Sequence, residues 1–336
     1  MKFLIIAPNW IGDMVIAQTL FKHIKKRYGA DCAIDIIAPK WSIDVADRMS
    51  EIRRSIALDV KRGEFGFGKR RALGVSLRDE RYDRAIVTPI TFKSALVAFF
   101  ANIPIRSGFI GEARFWLIND RKKLDKKTMT LMAERYLALD EAGAEIINPS
   151  LYIDLANQAK LIERFSVQTK PIAFFIGAEY GEAKRWSPKH FSALAKALNN
   201  KEILLIGSHK DHLIGELIAQ DNPNVKNLCG QTTIKDAIDL IAYCEAAIAN
   251  DSGLMHIAAA VNTPIVAIYG SSTSDHTPPL TDKKAIVSLN LACSPCFKRV
   301  CPFGHTNCLN NITPEMVYNA LINLTKNENV NAYNAH

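Results

Sequence analysis

Long apolar runs are missing from this 336-residue chain. No window reaches the roughly 18 uninterrupted apolar residues of a membrane span, so no spanning helix is predicted. The opening apolar run is short and enters Pro8-Asn9-Trp10 without a small-residue cleavage site, which reads against a signal peptide. The first strand-to-helix loop lacks G-x-G-x-x-G, which excludes a nicotinamide dinucleotide site. G-x-x-x-x-G-K-[ST] is also missing, which excludes a Walker ATPase. No D-x-D triplet is present to carry Mg or Mn beneath a nucleotide-sugar. Short repeats and low-complexity segments are absent too. Cysteine is not scarce, but its count of seven is odd, which predicts a reducing, cytoplasmic compartment and not a disulfide scaffold.

What is present is an ordinary globular composition, 48% hydrophobic and 23% charged, in a length that suits two domains. The net charge of +8 is unevenly spread: residues 1–165 hold 28 Lys and Arg against 20 Asp and Glu, whereas residues 166–336 balance at 14 each. A basic N-terminal half points to an anionic partner, such as a phosphorylated lipid, an acidic membrane surface or nucleic acid, or else to a solvated basic face. The positive charge is diffuse and carries no nucleic-acid motif, so no nucleic-acid partner is expected.

Apolar runs at Lys2–Ala7, Ile34–Ala38 and Arg84–Thr88 read as buried strands, and Met14–Tyr28 as a helix stopped by Gly29. The segment Phe92–Ile103, apolar with Phe99 and Phe100, reads as a core helix, with contact to lipid as the other reading. The same grammar restarts with strands at Pro171–Ile176, Ile203–Ile206, Ala247–Ala249 and Pro264–Tyr269. Helices follow Ser187-Pro188, span Ile234–Tyr243, and start again at Thr313-Pro314. Alternating strands and helices predict two parallel open α/β sheets: residues 1–165, residues 166–325 with a last helix that could pack back on the first domain, and a flexible tail at 326–336. Open sheets of this kind bind ligands at the carboxyl ends of their strands.

Three loops carry candidate chemistry. Asn250-Asp251-Ser252-Gly253-Leu254-Met255-His256 joins a strand to a helix, where N–H groups and the helix dipole favour an anion. Asp251 would repel a diphosphate and suits either a helix cap or a sugar-hydroxyl acceptor; His256 suits either packing or function. Gly177-Ala178-Glu179 leads to Lys184 and Arg185, cations able to stabilise a phosphate leaving group, with Glu182 a potential partner for Arg185. Asp13, behind Gly12, is either a helix cap or a base for an acceptor hydroxyl. Cys293, Cys296, Cys301 and Cys308 form a cluster open to three readings: a structural zinc, a disulfide, or free and packed thiols.

Together these segments, with Ala7–Met14, Lys93–Leu96, Ala133–Tyr136 and Thr277–Leu280, resemble the lipopolysaccharide heptosyltransferases of glycosyltransferase family 9 nearly end to end. The resemblance implies a GT-B fold, two Rossmann-like α/β/α domains facing a central cleft. It implies inverting, metal-independent transfer of heptose from ADP-heptose to the first heptose of the inner core on Kdo-lipid A, by an enzyme peripheral to the inner membrane. By the same resemblance Asp13 is the base and Lys184 the phosphate lysine, and Asp251, Ser252, Gly253, Leu254 and His256 bind the donor. Gly207, Ser208 and Thr232 join the donor candidates, and Asn9, Trp10, Gly12, Lys93 and Ser94 are the acceptor candidates. The four cysteines are a departure from many family members. Alternatives that stay open are the first-heptose transferase or another GT-B core-sugar transferase, and a basic membrane- or nucleic-acid-binding module.

Overall fold

The computed structural model describes residues 1–61 and 63–333, with side chains as far as Lys326. The chain divides into two compact units, Met1–Pro149 and Ser150–His336.

In the first unit the strands are β1 (Lys2–Ile6), β2 (Ala33–Pro39), β3 (Arg54–Leu58), β4 (Arg84–Val87), β5 (Ile105–Phe109) and β6 (Asp120–Lys122). All pair in parallel, in the order β3-β2-β1-β4-β5-β6. The helices are α1 (Ile11–Tyr28), α2 (Lys40–Ala46), α3 (Phe67–Ser76), α4 (Leu96–Phe100) and α5 (Met132–Leu137). β1 and β4 are apolar runs without alternation because helices cover both faces of a parallel sheet. The chain leaves β1 toward β2 and β3 and returns to β4 on the other side. The loops after β1 and β4 therefore flank the point where strand order reverses, the crevice in which doubly wound sheets bind ligands.

The second unit repeats the design with β7 (Ile172–Phe175), β8 (Ile203–Leu205), β9 (Val225–Asn227), β10 (Ala246–Asn250), β11 (Ile265–Tyr269) and β12 (Lys284–Ser288). Its order is β12-β11-β10-β7-β8-β9, again all parallel, with the reversal between β7 and β10. Its helices are α6 (Leu155–Arg164), α7 (Pro188–Ala197), α8 (His212–Ala219), α9 (Ile234–Tyr243), α10 (Gly253–Ala260), α11 (Asn307–Asn310) and α12 (Pro314–Tyr333).

The division at Pro149/Ser150 precedes the sequence boundary of 165/166. The reason is α6, whose polar side chains look like a linker but fasten it to α9. Asn157 Nδ2 donates to Asp236 Oδ1 and Asp239 Oδ2 at 3.0 and 2.8 Å, and Gln158 Nε2 donates to the Asp239 carbonyl at 2.8 Å. In α12, Val317 and Leu321 are buried in the core of their own unit with Ile268 and Val287. The segment expected as a tail is helical as far as Tyr333; residues 334–336 lie outside the described residues.

Candidate functional site

Lys184 closes a single 3-10 turn, Glu182–Lys184, in the loop after β7. Two residues on, Trp186 is almost fully buried. Its indole N–H donates to the Ile312 carbonyl at 2.8 Å, and its ring meets Phe191 edge-on at 4.8 Å. This anchor fixes the loop. Asn250, at the end of β10, ties it to the neighbouring strand. The Trp186 backbone N–H donates to Asn250 Oδ1 and Asn250 Nδ2 donates to the Ile176 carbonyl, both at 2.9 Å.

The result is an ion pair between the Lys184 ammonium and Asp251 Oδ2. Ser272, after β11, donates its hydroxyl to the same oxygen at 2.5 Å, and the Tyr180 ring lies 4.9 Å from the ammonium. Asp251 is not a helix cap: α10 starts at Gly253, and Ser252 occupies the cap position without a side-chain cap bond. Its charge is matched by Lys184, which removes the repulsion expected between a bare carboxylate and a diphosphate. His256 is buried in the first turn of α10, where Leu254 is half-buried. Burial, reinforced by the Lys184 cation and opposed by Asp251, holds its imidazole down at about 4, so it is neutral near pH 7.

The remaining donor-side candidates sit on loops at the same edge of the sheet. Gly177 follows β7, and a Cβ there would lie 2.5 Å from the Asp211 carboxylate, so glycine permits the approach. Asp211 Oδ2 accepts from the Ser208 N–H and hydroxyl at 2.9 and 2.7 Å, and Arg185 Nη2 is 3.8 Å from Asp211 Oδ1. Arg185 thus leans to Asp211 and not to the Glu182 side chain. A Cβ on Gly207 would be 3.1 Å from Asp211. Ala178 is buried, Glu179 accepts from Lys210 at 3.0 Å, and Thr232 is half-buried ahead of α9. Three buried polar atoms here, Arg185 Nε, Ser252 Oγ and Ser271 Oγ, have no hydrogen-bond partner among the described residues. Buried donors usually find partners, so the edge retains capacity for a polar ligand. Asp211 and Ser272 escaped the sequence reading because nothing local marks them.

In the first unit, α1 starts at Ile11 with Trp10 in the cap position, so Asp13 lies in the first turn and is not the cap. Asp13 is half-buried, near enough to Tyr136 of α5 that burial first and the Asp13 charge second push that phenol well above its ordinary value. Asn9 and Trp10 are exposed on the same loop, and Gly12 is half-buried. The Asn9 carbonyl accepts from the Trp41 indole at 2.9 Å. Across the reversal, Lys93 donates to the Gly63 and Glu64 carbonyls at 3.1 and 3.2 Å, and the Ser94 hydroxyl lies 2.6 Å from the Thr91 carbonyl. Sequence reasoning missed Arg114. It is buried, reaches the Pro89, Thr91 and Phe109 carbonyls and Ser94 Oγ, and so knits the loops after β4 and β5.

The four clustered cysteines are free thiols that line one small cavity with Ala183 and Ser271. Among the described residues no group of three or more His, Cys, Asp or Glu is set to hold a metal ion. Four backbone N–H groups, from Phe303 to Thr306, hold the Cys301 thiol below its ordinary value, the largest contribution coming from Thr306. The segment supports the Lys184 loop. Ala183 N–H donates to the Arg299 carbonyl at 3.0 Å, and the Tyr180 hydroxyl donates to the Phe297 carbonyl at 2.9 Å.

The pattern of glycosyltransferase family 9 (heptosyltransferase) matches residues 70–307. The chain is 41% identical to lipopolysaccharide heptosyltransferase 2 of Salmonella typhimurium over 98% of this chain and 100% of that one. It is 42% identical to lipooligosaccharide heptosyltransferase 2 of Haemophilus influenzae over 86% and 89%. The solved structure of E. coli ADP-heptose LPS heptosyltransferase II superposes with a TM-score of 0.86 at 39% identity, covering 98% of this chain and 100% of that one. The fold is therefore that of the GT-B heptosyltransferases, and this chain, by sequence and by architecture, belongs to glycosyltransferase family 9, the heptosyltransferases.

Proposed function

We propose that the protein transfers L-glycero-D-manno-heptose from ADP-heptose onto the first heptose of the lipopolysaccharide inner core, with inversion at the anomeric carbon. The relatives at 41–42% identity that carry the second-heptose activity in their names favour this step over the first-heptose alternative. The observation that carries the reading is the convergence at the β7/β10 reversal of Lys184, Arg185 and the start of α10.

In the proposed reaction Asp13 takes the acceptor hydroxyl proton as that oxygen attacks the anomeric carbon and the bond to ADP breaks. Lys184, Arg185 and the N–H groups that open α10 stabilise the charge gathering on the departing diphosphate. These cations serve where other nucleotide-sugar enzymes use a metal, so no cofactor is assigned. Gly177, Ala178, Glu179, Gly207, Ser208, Thr232 and the Asp251–His256 segment are assigned to the donor. Asn9, Trp10, Gly12, Lys93 and Ser94 are assigned to the acceptor. A lipid-linked acceptor places the enzyme on the cytoplasmic face of the inner membrane. The deciding experiment is transfer from ADP-heptose to truncated acceptors ending in Kdo or in one heptose, read by mass spectrometry. Addition only to the Kdo-terminated acceptor would reject this reading.

A further inference from the structure

Residues 61–123 hold 14 Lys and Arg against 6 Asp and Glu, an excess equal to the net charge of the entire chain. The same segment carries five exposed aromatics. Phe65, Phe67, Phe99, Phe115 and Trp116 are 51%, 49%, 38%, 51% and 87% exposed. Single exposed apolar residues are normal; a connected group edged by cations is not.

The group is connected. The Phe67 ring meets Phe100 edge-on at 5.6 Å, and Phe100 meets Phe99 at 5.5 Å. Arg71 lies over Phe100 at 5.9 Å and Arg106 over Phe99 at 5.6 Å. Arg106 continues to the Leu117 carbonyl at 2.8 Å and to that of Trp116 at 3.5 Å, joining Trp116 to the strip. Beside it Phe65 stacks on Phe92 at 6.5 Å. The support is rigid: α3 rests on α4 at Gly74, where a Cβ would lie 2.7 Å from the Val97 carbonyl. The segment read from the sequence as one core helix is a 3-10 turn, Phe92–Ala95, followed by α4; Leu96, Val97 and Ala98 are core, while Phe99 meets solvent.

We propose that this strip of Phe67, Phe99 and Trp116, bordered by Arg71 and Arg106, docks the protein on an anionic phospholipid bilayer. Aromatic side chains favour the headgroup boundary, and arginines and lysines are drawn to the negative leaflet. Charge complementarity selects the occupant: Arg70, Arg84 and Arg114 of this segment are buried, but Arg71 is exposed and Arg106 half-exposed beside the strip, and an uncharged apolar patch on a protein would leave them unmatched. The inference rests on the transferase reading only for the reason a lipid surface is useful, since docking would bring the lipid-anchored acceptor within reach.

The test is flotation of the full chain with vesicles of phosphatidylglycerol and phosphatidylethanolamine, set against vesicles of phosphatidylcholine alone. Binding to the anionic vesicles that weakens as salt is added is the expected result. The Phe67→Ser/Trp116→Ser variant should bind them at least about ten-fold more weakly, with unchanged turnover of a water-soluble, de-acylated acceptor as proof that it folds. Equal binding to both vesicle types, or full binding by the variant, overturns the proposal. Variant-sensitive vesicle binding by a protein that transfers no heptose would uphold the docking strip while rejecting the transferase reading.

Discussion

Lys184 and Asp251, 67 residues apart in sequence, form an ion pair at the adjoining ends of β7 and β10. In the proposed donor site, the pair lets a carboxylate sit beside a diphosphate with its charge already matched, and it holds the ammonium in place ahead of the ligand. Holding a charge in place ahead of the reaction is what makes such groups effective, since little reorganisation is left to the moment of bond breaking.

Lys184→Ala is expected to lower kcat by about 10²- to 10³-fold, the cost of losing one charge-stabilising donor. Asp251→Asn should lower it by a smaller factor, because the ammonium persists but loses its fixed position. Steady-state kinetics on a water-soluble acceptor reads both, and unchanged turnover in Lys184→Ala would reject its assignment.

Asp13→Ala should reduce transfer by about 10²- to 10⁴-fold, as expected for loss of a general base. Affinity for ADP-heptose, measured by calorimetry, should stay within a few-fold. A fully active variant would end the base assignment.

His256 bears on stability in acid. Its pKa is about 4 in the folded protein against 6.5 ordinarily, so above pH 6.5 it is neutral folded or unfolded and contributes no pH dependence. As pH falls below 6.5 the unfolded chain takes up a proton that the buried ring refuses, and stability drops until the folded-state value is reached. Between pH 6.5 and 5 this amounts to roughly 2 kcal/mol. Denaturant titrations at both pH values should show that loss in the wild type and a smaller one in His256→Gln.

Gly181 offers a test of the loop that carries Lys184. A Cβ there would lie 2.4 Å from the Arg299 carbonyl, a backbone atom that can yield only by moving the segment. Gly181→Ala should lower kcat about ten-fold or more while costing only ~1–3 kcal/mol of stability, typical of overpacking. Kinetics near wild type would mean that the loop position is not critical.

Chelation is expected to leave turnover intact, because in the proposed reaction Lys184, Arg185 and the α10 N-terminus meet the diphosphate charge. Activity lost in EDTA and restored by Mg would overturn the metal-independent reaction.

Local pattern carried much of this protein. Apolar runs such as those of β1, β7 and β10 announce strands covered on both faces, Gly29 and Pro188 mark helix ends, and their alternation yields two doubly wound units. Five strands escaped, β3, β5, β6, β9 and β12: each is polar or partly exposed, so no apolar run marks it, and each exists because a neighbouring strand supplies the hydrogen bonds. The boundary near 150 was hidden for a related reason, since α6 joins its unit through polar contacts to α9. Residue type and loop position singled out Lys184 and Asp251, yet left Asp251 as a cap or a sugar contact. Its pairing with Lys184, the leaning of Arg185 to Asp211 and the reach of Arg114 back to the Pro89 and Thr91 carbonyls join chain segments 23 to 67 residues apart. Such contacts depend on where folding sets the strand ends, which no local spacing encodes.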